Sequence, residues 1–150
     1  MRELTMMVRR DLLLRREIDD RLDELVTKAQ GLIDQKRVAS RASRLEKRQF
    51  DNVLSVATET GSVEVVKNFI KYQVGRPGAV GEGWRHNGFG EAVVEEIDGW
   101  LHEQAEAISH KLLADAAVPT KEIWIELVRL YLGYMRRWFV YRAREREGGR

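Results

Sequence analysis

The chain has 150 residues, no cysteine, two prolines, 33% charged residues and a formal net charge of +2. A chain of that size has enough apolar content for one domain with a core of its own. The lack of cysteine excludes disulfide staples, thiolate metal sites and cysteine nucleophiles, and fits a reducing cytoplasm.

The small net charge conceals segregation. Lys36, Arg37, Arg41, Arg44, Lys47 and Arg48 stand against Glu46 alone, whereas residues 91–115 hold seven acids against Lys111. The end of the chain is basic again, with Arg136, Arg137, Arg142, Arg144, Arg146 and Arg150 against Glu145 and Glu147. Such asymmetry points to nucleic acid on the basic side, or to copies stacking basic against acidic. At the start of the chain, Met6, Met7 and Val8 run at once into Arg9, Arg10 and Asp11, which is not a signal-peptide pattern.

The first predicted helix runs from Glu3 to about Gln30. Ile18, Leu22, Leu25, Ala29 and Leu32 step by four and three, a helix-packing seam. As one rod it would be roughly 40 Å long, and Gly31 marks its end or a kink. Arg9, Arg10, Arg15 and Arg16 interleave with Leu12, Leu13 and Leu14, a pattern suited to protein docking.

Residues 36–43 read as a basic connection. Ser43 and Glu46 have capping-box spacing for a helix over 44–59, with Phe50, Val53, Leu54 and Ala57 on its apolar face. Gly61 stops it and Ser62 caps the next helix, about Val63 to Val74, with Val66, Phe69, Ile70 and Gln73 or Val74 inward.

Six glycines punctuate residues 75–90, which predicts a long irregular loop carrying Trp84, Arg85 and His86. A helix over 91–116 follows, with the stripe Val94, Ile97, Leu101, Ala105, Ile108 and Leu112. Pro119 and Thr120 open the final helix, to roughly Tyr141, apolar on nearly every side and so central to the bundle; Thr120 is its expected cap. Glu122, Glu126 and Arg129 interrupt it too early for a membrane span. Residues 142–150 read as a basic, disordered tail. The expectation is an all-α, single-domain bundle of about five helices.

No catalytic or cofactor constellation emerges. His102, Glu106 and His110 share a helical face and could ligate zinc or iron. The di-iron signature Glu-x-x-His fails, because Gly99 and Ala107 occupy the positions three before each histidine. A solvated polar face is the better reading. The glycines of 75–90 lack the Gly-Lys-Ser/Thr ending of a phosphate loop and the preceding strand of a dinucleotide fingerprint.

The basic residues suggest more. Arg44, Lys47, Arg48, Lys67, Lys71 and Arg76 would line one side of a helical hairpin and hold phosphates without reading bases, joined by Arg85, with Trp84 placed to stack on a base.

The run Arg48-Gln49-Phe50-Asp51-Asn52-Val53-Leu54, followed by Val65 to Arg76 with Tyr72, Gly75 and Arg76 at its end, resembles the small subunits of type III CRISPR effector complexes, the type III-A ones in particular. The resemblance covers residues 43–76. It implies a small, all-helical, non-catalytic protein that stacks in copies along a ribonucleoprotein, beside its other subunits, and touches the guide–target RNA duplex. Arg48, Lys67, Lys71 and Arg76 would then face phosphates. The rival readings are an adaptor that never meets nucleic acid, and a metal protein using His102, Glu106 and His110.

Overall fold

The computed structural model describes the backbone of residues 1–148 and side chains as far as Arg146. The fold is all-helical, and the helices outnumber the five expected. They are α1 (Arg2–Asp19), α2 (Leu22–Gln35), α3 (Lys47–Glu59), α4 (Val63–Gly75), α5 (Gly78–Arg85), α6 (Phe89–Glu96), α7 (His102–Leu112) and α8 (Thr120–Gly148). A 3₁₀ turn, His86–Gly88, links α5 to α6, and a π turn, Ile97–Leu101, links α6 to α7. Among the described residues no helix is long and apolar enough to cross a membrane.

The extra helices have three sources, one of them the π turn that divides the helix expected over 91–116 into α6 and α7. The long first rod breaks at Asp20–Arg21, where the Arg21 guanidinium turns back to donate to the Glu17 carbonyl at 2.8 Å. That contact satisfies a carbonyl left orphaned at the end of α1. Gly31 neither ends nor bounds a helix; α2 continues past it to Gln35.

The third source is residues 75–90, which are helical rather than a loop. Gly78 and Gly88 take the left-handed conformation at the two breaks, φ +74° and +71°. Gly81, Gly83 and Gly90 instead sit inside helices where backbones come close. A Cβ at Gly83 would lie 2.8 Å from the Leu45 nitrogen, and one at Gly90 would strike Val74. Glycine here permits contact rather than flexibility.

The capping box of α3 is displaced by three residues from the one expected. Glu46 is the cap, and its backbone N–H donates to Gln49 Oε1 at 2.9 Å while its own side chain accepts from the Gln49 backbone. Ser43 accepts from Leu45 N–H at 3.1 Å instead. The Ser62 cap stands as expected, accepting from Val65 N–H at 3.4 Å. The Pro119 carbonyl accepts the first backbone bonds of α8, so Thr120 lies inside the first turn and is not its cap.

The predicted stripes are where the core forms. Val94, Ile97, Leu101, Ala105, Ile108 and Leu112 are all buried, as are Val66, Ile70 and Gln73 of α4 and Phe50, Val53 and Ala57 of α3. Helix α8 packs against α2, α3, α4 and α7. Four aromatic rings lock α3, α5, α6 and α8 together: Phe50 lies 4.8 Å from Phe139, 6.2 Å from Trp84 and 6.1 Å from Phe89. Each is essentially fully buried, a contribution of about 1.5–3 kcal/mol apiece.

Charges inside the α8 sequence serve the fold as well. Arg129 donates to the Ala57 and Thr60 carbonyls at 2.7 and 2.9 Å, closing the C-terminus of α3. The tail expected from residue 142 is helix through Gly148, because Ala143 is buried and Arg142 is held by Asp34 at 3.1 Å. Residues 149 and 150 lie outside the described residues.

Candidate nucleic-acid interface

The two basic zones of the sequence meet in space. Val38 and Leu45, both fully buried, pin the segment between α2 and α3 to the core and leave the arginines between them at the surface. Arg37 takes φ +53°, and its carbonyl accepts from the Ser40 hydroxyl at 2.8 Å, so the chain turns sharply there. The last turns of α8 lie alongside. Arg146 reaches across to the Ser40 carbonyl at 3.4 Å and the Leu45 carbonyl at 3.1 Å, with its guanidinium over the Phe139 ring.

Arg146 thereby sits between two surface grooves. One, about 850 Å³, runs between the start of α3 and the end of α8 and is lined by Lys47, Arg48, Val140 and Arg144. The other, about 530 Å³, lies between α2, the basic connection and α8, and is lined by Arg37, Arg41 and Arg142. The carboxylates among these residues are already engaged. Asp51 pairs with Arg136, Asp34 and Glu145 with Arg142, and Glu46 with the α3 backbone. Arg37, Lys47, Arg48 and Arg144 have no side-chain partner among the described residues and remain available to an anion.

The hairpin surface expected from the sequence does not form. Lys67 is buried, its ammonium 2.6 Å from Asp98 and 3.1 Å from Glu64. Burial pushes its pKa down, but those two carboxylates outweigh burial and hold it above the ordinary lysine value. Lys67 is thus a structural cation and not a phosphate contact. Arg85 is consumed as a cap: one guanidinium nitrogen donates to the Val74 and Arg76 carbonyls at 2.7 and 2.8 Å, closing α4. Arg76 is half-buried, bonded to Gln73 Oε1 at 3.1 Å and stacked over Tyr72.

Lys71 is exposed, in a different groove that it shares with Glu91 and Glu95. Arg44 stands 3.8 Å from Glu82. Of the seven expected contacts, only Lys47 and Arg48 join the basic end of α8. Trp84 is 1% exposed and cannot reach a base.

The other candidates also resolve. His102 Nδ1 lies 2.8 Å from Glu106, with its ring edge-on to Trp124. No group of three His, Cys, Asp or Glu able to hold a metal occurs among the described residues. Trp124 in turn donates from Nε1 to the Ile97 carbonyl of the π turn at 2.9 Å. Arg9 and Arg10 hold α1 to the α7–α8 corner through Asp115 and Glu122 at 3.2 and 2.5 Å. Within the acidic helix, Glu96 is 3.5 Å from Lys28 of the same chain, so that carboxylate is not left for a neighbouring copy.

Arg37, Arg41, Arg142, Arg144 and Arg146 were each visible as charge in the sequence. What singles them out is the meeting of segments about a hundred positions apart, for which a single chain of letters carries no signal. No family model, no curated protein and no solved structure matches the chain.

Proposed function

We propose that the chain is an RNA-associated subunit of a ribonucleoprotein, contributing shape and positive charge rather than chemistry, of the kind that the resemblance to type III CRISPR small subunits implies. Its RNA contact is the double groove at the end of α8. The observation that carries this reading is the Arg146 bridge, which fuses two basic zones into one surface and leaves Arg37, Lys47, Arg48 and Arg144 unpaired among the described residues. Cations spaced along a groove neutralise successive phosphates without reading bases, and release counterions as they do so.

The test is anisotropy of a labelled RNA oligomer over a salt series, with Arg48→Glu/Arg144→Glu set against Lys71→Glu. The groove double variant should bind at least tenfold more weakly at low salt, with a salt slope shallower by about one unit for each contact removed. Lys71→Glu should bind nearly as wild type. Equal binding by wild type and double variant refutes the groove.

A protein-docking reading rests on a separate feature. Leu4, Val8 and Leu12 of α1 are 64%, 51% and 63% exposed along one side of the helix, opposite the side that packs. That surface suits a neighbouring subunit of the same assembly and is compatible with RNA in the groove.

A further inference from the structure

The outward face of α8 between the two grooves carries an aromatic that the core does not use. Arg137, Val140, Tyr141 and Arg144 fall at i, i+3, i+4 and i+7, the spacing of a single stripe, and this stripe faces solvent. Val140 is 43% exposed and Tyr141 62%. A helix read as apolar on nearly every side and central to the bundle would bury both.

Tyr141 is not a loose surface side chain. Its ring rests against Trp138, with centroids 5.2 Å apart and planes at 39°. Trp138 is fixed in turn, donating from Nε1 to Asp34 at 3.0 Å and lying beneath the Arg142 guanidinium. The tyrosine ring is therefore braced by Trp138 while the residue stays mostly exposed. Cations flank it, with Arg137 one turn before and Arg144 one turn after, and the unpaired Arg48 lines the groove that Arg144 shares.

We infer that Tyr141 is a stacking platform for an unpaired base, and that the groove takes single-stranded nucleic acid in preference to duplex. The inference rests on the RNA reading above but departs from the guide–target duplex that the resemblance implies, because it assigns the groove a single strand. A base in a duplex has both faces covered by its neighbours, whereas a base in a single strand can rotate onto an exposed ring while its phosphates remain with the flanking arginines. Stacking of this kind is indifferent to base identity, because every base presents a π face. It supplies on Tyr141 the contact that Trp84, buried in the core, cannot make.

The experiment measures binding of three probes of equal length: an oligo-U strand, an abasic strand and an RNA duplex. Wild type should prefer oligo-U over the abasic strand by about tenfold. Tyr141→Leu should erase that preference while leaving abasic and duplex binding and the salt slope unchanged, and Tyr141→Phe should restore it. A leucine variant that binds oligo-U like wild type overturns the inference and leaves the groove intact. So does one that weakens all three probes equally, since the ring would then act through the fold or the charge. If the leucine variant alters sedimentation of the protein instead, the stripe is a contact between copies and the inference fails. Wild type that binds none of the probes refutes the groove itself, which separates that failure from failure of the stacking contact.

Discussion

The Lys67 ammonium stands 2.6 Å from the Asp98 carboxylate and lies over the Trp124 ring, 5.9 Å from its centroid. Through this contact α4 is tied to the π turn and to the start of α8. The carboxylates at its ends are about half and two-thirds exposed, so most of their charge stays solvated when the lysine is lost. Lys67→Met is therefore expected to cost about 1–2 kcal/mol, below the range for a fully buried pair, and Lys67→Glu more, since it places like charges together.

The pH dependence has a definite sign. Lys67 is held above the lysine value of 10.5, so its contribution is complete below that pH and is lost as pH rises through the folded value. Urea midpoints of wild type and Lys67→Met should differ at pH 7 and converge as pH rises past 10.5 through the raised folded value. A constant gap across that range contradicts the electrostatic account. RNA binding by Lys67→Met, measured where the protein is folded, should match wild type.

The glycines separate into two kinds, and alanine substitution should distinguish them. A methyl group at Gly83 meets the Leu45 backbone at 2.8–2.9 Å, and neither backbone can yield without displacing Leu45 from the core. Gly83→Ala should destabilise by about 1–3 kcal/mol. Gly31 and Gly133, inside α2 and α8, have nothing within 4 Å of an added Cβ. There alanine removes only unfolded-state freedom and should stabilise by about 0.5–1 kcal/mol each. Thermal melts of the three variants check both signs. A stabilised Gly83→Ala would mean that α5 does not press against the chain at Leu45.

That contrast explains what a reader of the sequence can and cannot see. The stripe from Val94 to Leu112 was legible because its spacing depends on local helix geometry alone, and every member is buried. Residues 75–90 were not, because a glycine that breaks a helix and one that admits a neighbouring backbone are spelled alike. Only Gly78 and Gly88 do the former by conformation. Arginine poses the same problem: Arg21, Arg85 and Arg129 cap the C-termini of other helices, a use that depends on which carbonyl the fold brings within reach. Arg48 and Arg144, alike in composition, are left over for the surface. Charge was readable, and its employment was not.

Glu17 offers a measurement of how α1 is held. It is 6% exposed, receives Lys111 at 3.1 Å and Arg21 at 3.2 Å, and so joins the end of α1 to α7. Burial alone would raise its pKa, but the bonds from Lys111 and Arg21 outweigh burial and hold it below the ordinary carboxylate value of 4.5. A depressed carboxylate contributes stability above its unfolded pKa and loses it as pH falls through the folded value. Glu17→Gln keeps the shape, removes the charge and leaves two cations without their anion, so it should lower stability at pH 7 by about 1–2 kcal/mol. The gap should shrink steadily below pH 4.5 and vanish once the wild-type carboxyl is protonated. Hydrogen exchange should place the loss in α1 and at the Lys111 end of α7, while the aromatic cluster around Phe50 keeps its protection. If exchange instead rises evenly through α3 and α8, α1 is not a separately anchored element, and Glu17 acts through the global fold.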